Sequence, residues 1–245
     1  MGSLSAALKE AGHETTLLHF VKPADEKELI QSVSEQAPDI VGFSTLTNVF
    51  RHVRKMAVTL KRYFSFPLIC GGVHPTLDPE GTICEEGIDM VCIGEGEEAL
   101  VELCNKIDKG EDITTIPNIW VKVGEKVFRN PPRRLIENLD VLPFENRAVF
   151  DYEKLEESKN HAVKIMASRG CPYSCTYCCN RQIREVYKDK GRYMRFKSVD
   201  RLLSEIEHII RSYPFIKFVI FHDDILPLRL DWLRQFAEEY KCRIG

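Results

Sequence analysis

The chain has 245 residues, with 34 Lys and Arg against 37 Asp and Glu and a net charge of −3. With 44% hydrophobic and 29% charged residues, 14 Gly and 12 Pro, it has the composition of one or two globular domains. That excludes a disordered, collagenous or coiled-coil chain. The charge excludes a global basic field for nucleic acid, and no apolar run approaches the roughly 18–20 residues of a membrane span.

In chain order, residues 3–12 predict a short amphipathic helix ended by Gly12. Thr15–Val21 reads as a strand, and Asp25–Gln36 as a helix that stops before Pro38. Ile40–Ser44 is a strand and Val49–Tyr63 a helix. Pro67–Cys70 is a strand ending in Gly71-Gly72, and Met90–Ile93 a strand ending in Gly94-Glu95-Gly96. Glu97–Lys109 is a helix with acids in its first turn, where the helix dipole favours them. Such alternation predicts an α/β layer with a mainly parallel sheet. Ile119–Phe128 alternates apolar and polar residues around Gly124-Glu125 and predicts a β-hairpin closing a first domain, residues 1–130. Residues 131–160 carry three prolines and little periodicity and read as a linker across the surface.

A second α/β pattern occupies residues 161–245. Val163–Ala167 is a strand running into a cysteine-rich loop, Val199–Ser212 a helix, Ile216–Phe221 a strand and Leu230–Tyr240 a helix. That is room for two strand–helix units, whereas a closed parallel barrel takes about 200–250 residues.

Four of the nine cysteines lie within residues 171–179. An odd count and the lack of a secretory signal argue against a disulfide framework and for the cytoplasm. Cys171, Cys175 and Cys178 have the spacing C-x3-C-x2-C. Three thiolates on one loop can hold three irons of a [4Fe–4S] cluster and leave the fourth iron open to a ligand. A structural zinc site needs four ligands, usually as two pairs, and a fourth could come only from Cys179, His161 or His222. Cys70, Cys84, Cys92, Cys104 and Cys242 sit singly and read as core residues.

The segment Cys-Pro-Tyr-Ser-Cys-Thr-Tyr-Cys (171–178) resembles the signature of radical S-adenosylmethionine (radical SAM) enzymes. The resemblance implies that SAM chelates the open iron. Reductive cleavage of its sulfonium then yields a 5′-deoxyadenosyl radical that takes a hydrogen atom from substrate. Tyr177 then lies near the adenine, or else packs on the core. Phe221-His222-Asp223-Asp224 resembles the D-D variant of the SAM-contacting segment in members that carry a cobalamin domain. Asp223 either accepts from the SAM ammonium or solvates a strand end.

The first 130 residues resemble the flavodoxin-like (Rossmann-like) cobalamin-binding domain of those proteins. Ser44-Thr45-Leu46 and Gly71-Gly72 match its S-x-L and G-G in type and order. Gly71–Thr76, with His74, and Ile93–Glu98, with Gly94 and Glu95, also look like this family. A glycine pair admits a bulky ligand close to the backbone, and strand carboxyl ends line the ligand crevice of open α/β sheets. His74 is read either as part of this crevice or as a turn histidine before Pro75. Against the family, the domain's first strand would lie before Met1 and only the first two βα units of the partial barrel are present. The chain is therefore expected to be truncated at both ends.

Residues 181–197 are basic, with interleaved Tyr187, Tyr193 and Phe196. They read as a loop joining the cluster to the next helix; base stacking with phosphate contacts is the competing reading. The resemblance implies cobalamin-dependent radical SAM chemistry, with methyl transfer to an unreactive carbon or phosphorus and electrons from a flavodoxin or ferredoxin. A non-catalytic cobalamin- or metal-binding module and a methylthiotransferase are the alternatives.

Overall fold

The structure is a computed structural model, and it describes all residues except 21, 23, 151–154, 156–158 and 227–228. The first unit is a five-stranded sheet in the order β1-β2-β3-β4-β5, from Val41–Ser44, Leu68–Gly71, Met90–Cys92, Ile119–Val123 and Lys126–Phe128. β1, β2 and β3 run parallel, and β4 and β5 form the antiparallel hairpin. All of β3 is buried, as a strand covered on both faces must be, and this explains its unbroken apolar run.

Helices α1 (Gly2–Glu10), α2 (Glu26–Gln36), α3 (Phe50–Tyr63), the short α4 (Val73–Leu77) and α5 (Pro79–Cys84), and α6 (Glu97–Lys109) flank this sheet. Asp25 caps α2 by accepting from the Glu28 amide, and Gly110 ends α6 in the left-handed conformation; both are local signals carried by the sequence. Phe50, Val53, Ala57 and Leu60 place the apolar stripe of α3 against Leu68, Cys70 and Val91. The other face of the sheet packs on Ala99 and Leu103 of α6.

Thr15–Phe20 was expected to be a strand and pairs with no strand among the described residues; Val21 of that expectation lies outside them. Burial alternates from Thr15 to Leu18, and then Leu18 and His19 are both exposed, so the apolar run has strand-like residues without a sheet face to bury. A ladder, however, needs a neighbour as well as a pattern, and β1 pairs only with β2.

The 131–160 segment is more tightly packed than its composition suggested. Leu135 and Leu139 are buried. The Leu135 amide donates to the Lys190 carbonyl at 2.7 Å, and the Asn146 amide to Gly2 at 3.0 Å. Residues 151–154 and 156–158 of the segment lie outside the described residues.

In the second unit β6 (Ala162–Ile165) pairs parallel with β9 (Phe218–Phe221). Between them lie β7 (Ser168–Arg169), α7 (Asn180–Val186), β8 (Arg195–Phe196) and α8 (Val199–Ser212); α9 (Leu230–Arg243) follows β9. Ser198 caps α8 by accepting from the Arg201 amide. Val199, Leu202, Leu203, Ile206 and Ile209 recur at helical spacing and bury one stripe of α8 against Val163 and Ile165. Each such burial stabilises by about 1.5–3 kcal/mol. The two-unit α/β architecture agrees with the sequence expectation. No helix among the described residues is long and apolar enough to cross a membrane.

Two cysteine expectations are corrected. Cys70 and Cys92 are buried, and burial pushes both thiols up to about 12. Cys84 and Cys242 are exposed. Cys84 ends α5 and Cys242 lies in the last turn of α9, so apolar neighbours in sequence did not make them core.

Candidate functional site

Parallel pairing of β1, β2 and β3 brings their carboxyl ends to one edge, and with them Ser44–Leu46, Gly71–His74 and Gly94–Glu95. The first two loops are laced together. The Thr45 amide donates to Gly71 O at 2.9 Å and the His74 amide to Thr45 O at 3.2 Å. Gly72 has φ +102°, and a Cβ there would lie 2.7 Å from Thr45 O. Only glycine fits that crossing.

Thr45 is buried, and its hydroxyl donates to the Leu46 carbonyl at 3.0 Å. Leu46 is exposed. The His74 ring lies 4.0 Å from the Phe50 ring and its Nδ1 is 3.2 Å from Thr47 Oγ1. Its Nε2 is buried and finds no partner among the described residues. Thr76, which the sequence analysis did not single out, joins the remaining strand end: its Oγ1 donates to Gly72 O at 2.7 Å and accepts from the Gly94 amide at 2.9 Å.

Residues 171–179 form a loop between β7 and α7. The Cys178 amide donates to Cys175 O at 3.1 Å. Arg184 of α7 reaches back to Pro172 O at 2.7 Å and Ser174 Oγ at 2.6 Å, fixing the outer turn. Cys171 and Cys178 are half-buried and Cys175 is exposed. Among the described residues no three His, Cys, Asp or Glu side chains are gathered as a metal-binding group, so the three thiols share a loop without converging. Tyr177 is 91% exposed, so it does not pack on the core.

The Asp223 carboxylate, just past β9, accepts from the Ala167 amide at 3.1 Å and the Ser168 amide at 2.6 Å, and also from the Ser168 hydroxyl. It pins the end of β9 to the segment entering the cysteine loop. Asp224 instead accepts from Asn180 Nδ2 at 3.0 Å, beside Cys178.

What the sequence analysis missed is the joint between the units. Arg195 is 4% exposed, and its guanidinium grips Glu95 at 2.6 and 3.1 Å. Arg169, two residues before Cys171, binds Glu97 at 2.6 Å and Glu95 at 3.2 Å. The Tyr187 hydroxyl accepts from the Glu95 amide at 2.6 Å and would lie 1.7 Å from a Cβ on Gly94. Burial, foremost, and the charge of Glu95 keep that phenol protonated far above its ordinary range. Gly94–Glu97 therefore holds both flanks of the cysteine loop: Arg169 before it and, through α7, Tyr187 after it. Glu95 was assigned to the cobalamin crevice, and its carboxylate lies on these two arginines. The basic run at 181–197 likewise turns inward at Arg195 and Lys197, the last 2.5 Å from Glu205, while Arg184 bonds the outer turn of the cysteine loop.

An open α/β unit with a glycine-lined strand-end crevice, joined to two βα units bearing a three-cysteine loop, defines a class of two-unit cofactor-binding proteins. Residues 1–104 match the family model of the B12-binding domain. The chain is 30% identical over 203 residues to an uncharacterized methyltransferase of Pyrococcus horikoshii, covering 82% of this chain and 43% of that protein. It is 29% identical over 188 residues to the anaerobic magnesium-protoporphyrin IX monomethyl ester cyclase of Synechocystis, covering 73% and 37%. The radical SAM methyltransferase TsrM of Kitasatospora setae, solved with cobalamin and a [4Fe–4S] cluster bound, shares the fold with a TM-score of 0.75 at 19% identity, over 98% of this chain and 48% of that one. The chain thus carries a B12-binding domain and is similar over its length to radical SAM proteins that have one. It spans less than half the length of these relatives.

Proposed function

We propose that the chain is the cofactor-binding part of a cobalamin-dependent radical SAM enzyme of the cytoplasm, with residues 1–130 as the cobalamin domain, 131–160 as the linker and 161–245 as the start of the barrel. The observation that carries this reading is the grip of Gly94–Glu97 on both flanks of the cysteine loop. It makes the strand-end crevice and the thiol loop neighbours, as an enzyme using both cofactors on one substrate requires.

The residues suit the groups. Gly72 leaves a wall of the crevice without a side chain, and the unpartnered His74 Nε2 offers a polar contact there. Ser44, Thr45, Leu46 and Gly71 complete the cobalamin lining, whereas Tyr187 occupies the open side of Gly94 and accepts from the Glu95 amide. Cys171, Cys175 and Cys178 are a soft donor set suited to three irons of a [4Fe–4S] cluster. Tyr177 stands free to stack on an adenine ring. Asp223 holds the strand ends beside the cluster loop with three of its acceptor sites, and its Oδ2 keeps one for the SAM ammonium.

When bound, the cluster and SAM supply a carbon-centred radical on one-electron reduction, and the corrin supplies a methyl group. The electron comes from a low-potential flavodoxin or ferredoxin. Methyl transfer to an unreactive carbon or phosphorus is the favoured outcome, supported by the name of the Pyrococcus horikoshii relative. Ring formation is the second reading, favoured by the cyclase name of the Synechocystis relative.

The test is anaerobic reconstitution of the chain with iron, sulfide and cobalamin. About four irons per chain, with a reduced electron paramagnetic resonance (EPR) signal that changes on adding SAM and is lost in Cys175→Ala, support the reading. One zinc and no iron would overturn it in favour of a structural metal domain.

A further inference from the structure

Asn180 opens α7 directly behind the cysteine loop, and its carboxamide is fully engaged. Oδ1 accepts from the Tyr193 hydroxyl at 2.8 Å; Nδ2 lies 3.0 Å from Asp224 Oδ2 and 3.6 Å from Cys178 Sγ. The amide has one possible orientation. An ionised carboxylate only accepts, so the amino group must face Asp224; the reverse would set two acceptors together. The carbonyl is thereby turned to Tyr193. One amino hydrogen is used on Asp224 and the other is directed at the Cys178 sulfur.

Both orienting groups are themselves held. A Cβ on Gly170 would lie 2.5 Å from Tyr193 O, so the Tyr193 backbone is seated against the residue preceding Cys171. Asp224 follows Asp223, which is bonded to the Ala167 and Ser168 amides. Three segments, α7, the approach to β8 and the end of β9, thus converge to fix a single N–H on one cysteine of the loop.

We propose that Asn180 is a tuning residue that donates to the Cys178 thiolate and raises the reduction potential of the bound cluster, with Tyr193 and Asp224 as its positioning residues. This rests on the reading of Cys171, Cys175 and Cys178 as cluster ligands. One-electron reduction adds negative charge to the cluster and its thiolates. A fixed N–H donor stabilises the more negative state, and hydrogen bonds to the sulfurs are among the factors that set cluster potentials. An effect on potential is what separates tuning from mere scaffolding of the loop.

The full chain is reconstituted anaerobically as wild type, Asn180→Ala and Tyr193→Phe. Iron is counted, and the cluster is titrated with dithionite under EPR. With equal iron, Asn180→Ala should lower the reduced-to-oxidised ratio at a fixed poise about tenfold, a shift of about 59 mV for one electron. Tyr193→Phe should shift it the same way by less. Wild-type midpoints in both iron-loaded variants, or an upward shift, would overturn the proposal. Should Asn180→Ala fail to hold iron, Tyr193→Phe decides: a downward shift supports the proposal and an unchanged midpoint overturns it. A wild-type chain that takes up no iron would overturn the cluster reading and the tuning role with it, an outcome distinct from an unshifted midpoint in loaded protein.

Discussion

The strand-end crevice and the cysteine loop are built in opposite ways. In the crevice, backbone and hydroxyl groups satisfy one another: Thr45 with Gly71 and His74, and Thr76 with Gly72 and Gly94. In the loop, Cys175 and Tyr177 face solvent, and order comes from its two flanks and from Arg184. The first is a preformed cradle that needs no ligand to hold its shape. The second keeps its soft donors unspent, and metal binding would draw them together, so ligand binding and local ordering coincide there. The joint at Gly94–Glu97 lets the rigid region locate the adaptable one.

Breaking that joint should have the largest effect. Arg195→Ala leaves Glu95 half-buried with one arginine instead of two, and it also removes the donor to Ile136 O. Removing one partner of a buried ion pair costs about 3–5 kcal/mol. The midpoint of urea denaturation should fall accordingly. An Arg195→Ala midpoint within error of wild type would show that the two units do not depend on this joint.

Gly72→Ala sharpens the contrast from the crevice side. Its Cβ would press on Thr45 O and N at 2.7 and 2.8 Å in a left-handed conformation, a strain of about 1–3 kcal/mol. Because the cradle is preformed, cobalamin affinity should fall with it while iron uptake at the loop is retained. Absorbance titration with cobalamin beside an iron count on the same sample tests both. Equal loss of the two cofactors would mean that the regions are not separable.

How much of this was legible in the sequence follows the same division. The loop was read from Cys171–Cys178 because its signal is a local spacing. The β4–β5 hairpin, α6 and α8 were legible because periodicity and caps are also local. The joint was not, because Arg195 and Glu95 meet across about a hundred residues and no local pattern pairs them. Tyr187 was noticed only as one aromatic of a basic run, although its hydroxyl is what requires a glycine at position 94. The opposite error occurred at Thr15–Phe20, where a strand-like apolar run lacked the neighbouring strand that makes a ladder.

A smaller effect of the joint appears with pH. Burial raises the pKa of Glu97, but Arg169 and the Ser3 hydroxyl outweigh it and hold the carboxyl below its ordinary value. The folded pKa is then lower than the unfolded value of about 4.3, so between them the unfolded chain binds more protons. The contribution is full above the unfolded pKa and is lost as pH falls through the folded one. Denaturation midpoints measured from about pH 6 to about pH 3 should drop more steeply for wild type than for Glu97→Gln. Parallel curves would remove Glu97 from the acid response.

The smallest effect on the fold is expected at Tyr177, and it bears most directly on the exposed region. A ring that is 91% exposed contributes little to folding, so Tyr177→Ala should change stability by less than about 0.5 kcal/mol. If the ring stacks on the adenine of SAM, the same change should weaken SAM binding by about 1–3 kcal/mol, judging from base–aromatic stacking elsewhere. That is about five- to 150-fold in Kd. Tyr177→Phe keeps the ring and should bind as wild type. Titrating SAM into cluster-loaded protein under EPR separates the cases. Weakened binding in the alanine variant alone identifies the ring as a ligand contact that the loop keeps unspent. Equal binding in all three would remove the ring from SAM recognition and leave its exposure unconnected with the cofactor.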